Sequence, residues 1–582
     1  MVSEQERMKR MKKMSKVLGV NISQVAAMLA AQEKAENGII EDTPPESDGV
    51  AGAAPGNAEA HKKDDPFTKF VREQNGGSPR GPASQGKGGA SPKGDASATS
   101  AATADSKKTP KKKEEMPPCT VLFCGGTDWH NLGRRSTEGG DVPCPKVLSF
   151  PKRIKYVASG PTAFHSVCID VHGGVYTWGR NENGALGHGD LKTRAHPTLV
   201  VSLTGTKMKQ ASCGKSHTAV LAENGTLYVM GGGKLGQLGQ GRALESCTEP
   251  RVVNVVGGTV HKVSCGAEFT AIIDSRGRLL TFGSPQEGQL GSGTTGEFIE
   301  KAGKISYDLV LSPSVISVFI SKDPRSKTVE ELRGIELADV SCGKNHCVAV
   351  ERAPRARVFT WGFGGYGRLG HACQDNELRP RVVEGLARLT HVTVASVSAG
   401  GGCSMAITTN GHLFYWGKLP NAPRGEATMY PRIVDDLSNW QSRSVAGSNG
   451  AILVAAETST ISWGTSVAGE LGYGEEAGKP RTSTKPKLVD AMEGVTVMQV
   501  AMGFGHSILL AKDDEKSAAT YEKVGECVPF ERDDTGAGSE DGEEEPPAKK
   551  KRGPGRPPSR GGGSGRNAKR GAGSKGKGKA RR

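Results

Sequence analysis

The amino-acid sequence predicts an all-β fold, a seven-bladed β-propeller, and three observations predict it. An aromatic or apolar residue followed by Gly recurs seven times, at Cys124, Trp178, Met230, Phe282, Trp361, Trp416 and Trp463. The successive spacings are 54, 52, 52, 79, 55 and 47 residues, and a period near fifty marks a repeat architecture such as a propeller blade. Within each period, alternating runs such as His217 to Leu221 and Thr226 to Val229 flank a turn at Asn224 and Gly225, the pattern of a β-hairpin. The same turn recurs at Arg276 with Gly277 and at Asn410 with Gly411.

In chain order, residues 1–36 read as a short helical segment, with Asn21 and Gln24 placed as a capping box before Val25, Met28 and Leu29. A mitochondrial presequence is the rival reading. Glu4, Glu6 and the dominance of Lys over Arg favour a partner-binding helix. Residues 37–115 form a linker rich in Gly, Ser, Ala, Pro and Lys. Such a segment buries too little apolar surface to offset ordering entropy, and disorder is expected. Ser78, Ser91 and Thr109 each precede Pro and a basic residue, the form favoured by proline-directed kinases. A phosphate at Thr109 would place about two negative charges inside a basic cluster.

The propeller is expected over residues 116–515. Gly, any residue, Leu, Gly follows the hairpin at Gly236–Gly239, Gly288–Gly291, Gly367–Gly370 and Gly469–Gly472. The glycines suit positive φ, and the Leu suits packing between blades. A small residue and Gly precede the hairpin, with His or Phe three positions on, as in Cys213, Gly214 and His217. Cys and His four apart would suit zinc only if about four ligands converged; one copy per blade spreads them round a ring, so no metal site is expected. The last such copy, Gln499 to Ala511, has no Trp-Gly strand after it, and Cys124 with Gly125 has no such strand before it. The two ends therefore complete one blade, which removes exposed edges.

Two places break the pattern. The 79-residue spacing between Phe282 and Trp361 implies an insertion at about 294–338. Lys304 to Ile320 alternates like an extra hairpin around Ser312 and Pro313, and Lys322 to Arg333 reads as a polar loop. Tyr307, Asp308, Lys322, Asp323 and Arg325 are its candidate partner-binding residues. The insertion either wedges into a partner or is a tolerated surface excursion. After Trp416 and Gly417, Lys418 to Glu426 lacks the Gly, any residue, Leu, Gly motif, so a shorter sixth blade is expected.

Residues 516–582 read as a disordered tail, acidic and then basic. Glu531 to Glu545 carries eight acidic residues, and Lys549 to Arg582 carries 14 Lys or Arg and no acid. The rest of the chain holds 63 basic against 62 acidic residues, so nearly all of the formal charge of +15 sits in the last 34 residues. A polyanion is then expected on the tail. Lys549, Lys550, Lys551, Arg552, Gly555, Arg556, Pro557 and Arg560 are the candidate DNA-binding residues. Their segment resembles an AT-hook, in which a Gly-Arg-Pro core lies in a narrow A·T minor groove, although Pro554 stands where the first core Arg would be. The same residues suit a nuclear import signal.

The 12 Cys lie between Cys119 and Cys527 with no signal peptide ahead of them, which predicts a reduced compartment, cytosol or nucleus. No run of about 18 apolar residues occurs, so no membrane span is expected. There is no Walker loop, zinc spacing or nucleophile elbow, and no cofactor is expected.

These blades resemble those of the regulator of chromosome condensation family, whose members are seven-bladed propellers. The resemblance covers about 395 residues. It is closest to the second, mitotic member in Cys265 to Asp274, Trp361 to His371, Thr428 to Pro431 with Trp440, and Ser459 to Gly464 with Glu470 to Gly474. The resemblance implies a guanine-nucleotide exchange factor for a Rac-, Ral- or Ran-type small GTPase, acting on chromosomes, with centromere or spindle-midzone partners in mitosis. It equally accommodates a chromatin or mitotic scaffold without exchange activity. A photoreceptor like the plant ultraviolet-B receptor shares the blade but needs clustered Trp. Here five of six Trp belong to the repeat or to the first strand's loop at Trp129, and only Trp440 is extra.

Overall fold

Seven four-stranded antiparallel units close into a ring in the computed structural model, which describes residues 117–134, 140–323, 326–419, 427–474 and 482–531. One blade shows the local logic. Its strands Ile154–Ala158, His165–Asp170, Val175–Gly179 and Arg194–Leu199 pair in order from the axis outward. The second and third strands are buried on both faces because neighbouring blades cover both sides. Their polar side chains His165, Ser166 and Thr177 are therefore buried and hydrogen-bonded.

Closure follows the expectation from the chain ends. Cys119–Gly126 pairs with His506–Lys512, with Val121 opposite Leu510 and Phe123 opposite Ile508. Val497–Met502 then forms the inner strand and Asp141–Leu148 the outer one of this shared blade, numbered 1 below, the others following as blades 2 to 7. The seven inner strands line a central channel of about 170 Å³. That is below the roughly 300 Å³ at which small-molecule pockets begin.

The repeat glycines do two jobs. Gly239 takes φ +62°, and a Cβ there would sit 2.9 Å from the Phe282 ring of the next blade. Gly370 likewise abuts Trp416. The intervening Leu238 and Leu290 are buried in the cores they share with Phe282 and Trp361 respectively. The second glycine of the motif is thus fixed by the aromatic residue one blade on, as well as by its own backbone.

The repeated His residues bridge blades. The Nε2 atoms of His165, His217, His346 and His506 lie 2.7, 3.0, 3.0 and 2.8 Å from the hydroxyls of Thr218, Thr270, Ser404 and Ser166. Thr218, Thr270 and Ser404 donate their single proton to the carbonyls of Ala185, Gln237 and Arg368. The imidazoles of His165, His217 and His346 must therefore donate from Nε2. Burial depresses the pKa to about 4 for His165 and about 3 for the other three. Among the described residues no group of three or more His, Cys, Asp or Glu could hold a metal ion.

The structure departs from the sequence expectation in three places. Val310–Ile316, read as half of a hairpin around Ser312 and Pro313, is the outer strand of blade 4 and pairs with Leu279–Gly283. The insertion instead supplies two other hairpins. Glu297–Ile299 pairs with Ile305–Tyr307, and Phe319–Lys322 pairs with Val329–Leu332 and joins the outer edge of blade 5. The expected polar loop is thus partly strand. Blade 6 keeps four strands, Thr428–Ile433 closing it outside Leu413–Gly417, while residues 420–426 lie outside the described residues.

The third departure is at residue 516, where a disordered tail was expected. A helix, Glu515–Val524, continues from the last strand. Asp514 caps it by accepting from the Ser517 N–H, Tyr521 donates to the Lys512 carbonyl, and Val524 enters the blade 1 core. Beyond it the backbone bonds Val147, Phe530 N–H donates to Thr127 Oγ1, and Glu531 meets His196 of blade 2. The ring therefore ends in a strap across blades 1 and 2, reaching residue 531.

Candidate functional site

Alternation of strand direction sorts the connections onto two faces. Loops between first and second strands and between third and fourth strands share one end of every blade, here called the loop face. Tight turns between second and third strands share the other, the turn face. The longest loop-face excursion is 284–309 of blade 4, which holds the first insertion hairpin.

That hairpin is an isolated two-stranded sheet. Its ladder and the bonds from Asp308 N–H to Gly296 O and from Glu300 N–H to Lys304 O are all internal. Ile299 and Ile305 are cross-strand partners and are 75% and 53% exposed, and Phe298 on the opposite side is 44% exposed. Tyr307 sits opposite Glu297 at the base of the same ladder, next to exposed Asp308. A hairpin of this size is marginal alone, so its apolar residues are available to a partner.

The second hairpin is anchored. Phe319 is buried with its ring 5.0 Å from that of Phe359, edge to face. Lys322 Nζ donates to Glu377 at 2.8 Å, and Arg381 Nη1 donates to the same carboxylate at 2.7 Å. Ser321 bonds Glu384, and Arg379 bonds Glu331. Asp323 N–H donates to the Thr328 carbonyl in the connecting turn. Of the five insertion candidates, Tyr307 and Lys322 end strands of the two different hairpins, Asp308 and Asp323 follow them just outside the strands, and Arg325 lies outside the described residues. The Lys322 ammonium is committed to holding its hairpin down.

A second loop-face feature was not singled out from the sequence. Tyr366 of blade 5 holds φ +63° and is 53% exposed. A bulky side chain in the left-handed region marks strain that the surroundings must over-determine. The Arg368 guanidinium stacks 4.7 Å over the Phe363 ring and 5.8 Å from that of Tyr366, and Lys418 Nζ lies 5.6 Å from Tyr366. Arg368 is buried and bonds the carbonyls of Gly365 and Gly401, so burial lowers its pKa. The result is an exposed aromatic flanked by two cations, spanning blades 5 and 6. The signal was a Tyr set between two glycines, Gly365 and Gly367, in the copy that begins at Trp361.

The candidate DNA-binding residues Lys549, Lys550, Lys551, Arg552, Gly555, Arg556, Pro557 and Arg560 lie outside the described residues, as do Ser78, Ser91 and Thr109. No helix among the described residues is long and apolar enough to cross a membrane.

Comparison with known proteins bears on this arrangement. The model of the RCC1-like domain matches residues 120–509. Protein RCC2 homolog of Danio rerio is 40% identical over 434 residues, covering 72% of this chain and 86% of that protein. Protein RCC2 of Homo sapiens is 39% identical over 409 residues, covering 68% and 77%. The crystal structure of Prp20p from Saccharomyces cerevisiae superposes with a TM-score of 0.54 at 19% identity, covering 70% of this chain and 94% of that one, a likeness of fold. With its closed seven-bladed ring and these relatives, the chain belongs to the RCC1-like propeller family.

Proposed function

We propose that this protein regulates a small GTPase of the Ran, Rac or Ral type as a guanine-nucleotide exchange factor, acting in the nucleus and in chromosome segregation. The observation that carries the reading is the free hairpin 297–307 on the loop face, in a chain about 40% identical to RCC2 homologues. Prp20p, which shares the fold, has been characterised for binding to Gsp1p and histones, and this supports a GTPase and chromatin as the partner classes. The basic residues from Lys549 onward tether the protein to DNA, and centromere or spindle proteins are its mitotic partners.

Exchange needs no covalent chemistry. A factor that binds the nucleotide-free GTPase more tightly than the loaded one shifts the equilibrium by that difference alone. Here rigid blades hold the loops still, and the hairpin with Ile299, Ile305 and Tyr307 supplies a projecting apolar element that can enter a cleft. Tyr366 with Arg368 and Lys418 supplies an amphipathic contact on the same face. The test is release of a fluorescent guanine nucleotide from purified Ran-, Rac- and Ral-type GTPases on adding the full chain. Acceleration of one of them is expected. If none is accelerated while the protein still co-sediments with chromatin, the exchange reading fails and a scaffold role replaces it.

A further inference from the structure

An open sheet edge is a template for another strand, and proteins blunt such edges. The outer strands of the seven blades are blunted twice. Each contains a proline, in turn Pro145, Pro197, Pro250, Pro313, Pro380, Pro431 and Pro486. Each also shows a register shift against the strand inside it. Proline cannot donate to a ladder, and a bulge twists the edge away. Blade 5 is the exception, because the hairpin at 319–332 lies outside its Pro380 strand. The outermost strand there is Val329–Leu332, which holds no proline and pairs with Phe319–Lys322 over four consecutive residues without a register shift.

The phase of that ladder decides which backbone groups are free. Asp323 N–H donates to Thr328 O, and along an antiparallel pair the hydrogen-bonded positions recur every second residue. Ser321 with Glu330 and Phe319 with Leu332 are therefore the bonded pairs. The N–H and C=O groups of Val329 and Glu331 point the other way, to an edge that no strand covers among the described residues. Thr328 to Glu331 are exposed, Val329 by 55%. Burial of Phe319 and the bonds of Lys322 and Ser321 to Glu377 and Glu384 hold the hairpin to the blade. The edge is thus set in place before a partner arrives, which lowers the ordering cost of binding.

We propose that Val329–Leu332 accepts an extended segment of another protein as a further strand of blade 5, one that carries a basic residue between β-branched residues. Main-chain bonds supply affinity in this mode and alternate side chains supply selectivity. The Glu331 carboxylate is taken up by Arg333 and Arg379, whereas Glu330 has no ion pair among the described residues. A Lys or Arg opposite Glu330 and a β-branched residue opposite Val329 complement that pattern. A second copy of the strand does not, since antiparallel self-pairing sets Glu330 against Glu330 or Glu331. Residues Lys549 to Arg582 of this chain carry the charge but are rich in Gly and Pro, which strands disfavour.

The probe is the end-blocked, fluorescently labelled peptide Thr-Thr-Val-Lys-Val-Thr-Thr, which reads the same in both directions and so can pair parallel or antiparallel. Binding to the full chain is followed by fluorescence anisotropy, beside two variants and a peptide N-methylated at its three central residues. Val329→Pro gives this edge the proline that the seven outer strands hold, at a position whose N–H makes no internal bond. It should weaken binding about tenfold, the size of one or two hydrogen bonds. Glu330→Lys should weaken it about fivefold. The N-methylated peptide should not bind, and amide exchange at Val329 and Glu331 should slow in the complex. Near-ultraviolet circular dichroism confirms that each variant is folded. Unchanged affinity of the folded Val329→Pro variant, equal binding of the N-methylated peptide, or no binding of the unmodified peptide would overturn the proposal. Dimerisation of the full chain that Val329→Pro abolishes would give the edge to a second copy and overturn it too. None of these outcomes depends on GTPase exchange.

Discussion

The two hairpins of the blade 4 insertion arise within one stretch of about 40 residues, yet one is fastened and the other is free. The hairpin at 319–332 buries Phe319 and Ile320 and is pinned by the Lys322, Glu377 and Arg381 cluster. The hairpin at 297–307 keeps its hydrogen bonds to itself and exposes Phe298, Ile299 and Ile305. The difference separates scaffold from site. An insertion whose charges are spent on the blade extends the sheet, and one whose apolar residues face water is placed for a partner.

The largest expected effect falls on the scaffold that both hairpins share, and it sets the pH window in which they can be compared. His165, His217, His346 and His506 have folded pKa values of about 3 to 4, below the unfolded value of about 6.5. Their neutral, buried state therefore contributes full stability above about pH 6.5 and loses it as pH falls toward the folded values. At pH 5 the loss is on the order of 2 kcal/mol per ring. Thermal melting at pH 7.5 and pH 5 checks this, and an equal melting temperature at both would contradict it.

Next in size is the anchor itself. Glu377→Ala leaves Arg381 and Lys322 facing each other without a carboxylate, which should cost about 3 kcal/mol in a denaturant titration. A loss below about 0.5 kcal/mol would mean that the second hairpin is not held by this cluster. Smaller still is Tyr366→Gly. Relief of the left-handed strain, worth about 1 kcal/mol, offsets the loss of two cation–π contacts, so stability should move by less than about 1 kcal/mol. Affinity for the partner GTPase should fall about tenfold, as measured by interferometry. Unaltered affinity would remove Tyr366 from the contact surface.

Much of this architecture was legible in the sequence because its determinants are local and repeated. Trp178 with Gly179 and Gly236 to Gly239 report backbone needs that every blade shares, and the unmatched strands at Cys124 and Gln499 announced the closure. What could not be read depends on partners far along the chain. The His217 ring was visible as a motif, but its acceptor Thr270 belongs to the next blade. Val310–Ile316 was visible as alternation, but alternation does not say which strand it pairs with. The helix at Glu515–Val524 is mostly charged or small and is held by a cap, one Tyr hydroxyl and Val524, too few apolar residues to set a period. The candidate site was legible as a long spacing, while the division between its fastened and free halves was not.

The most direct measurement is replacement of residues 298–306 by a short Gly-Ser turn, followed in parallel by melting temperature and by nucleotide release from the responsive GTPase. The account predicts a stability change within about 0.5 kcal/mol, as for a surface loop away from the core, together with loss of at least tenfold in the rate of nucleotide release. Full retention of release with the hairpin removed, or collapse of the propeller without it, would contradict the assignment of this hairpin as site and its neighbour as scaffold.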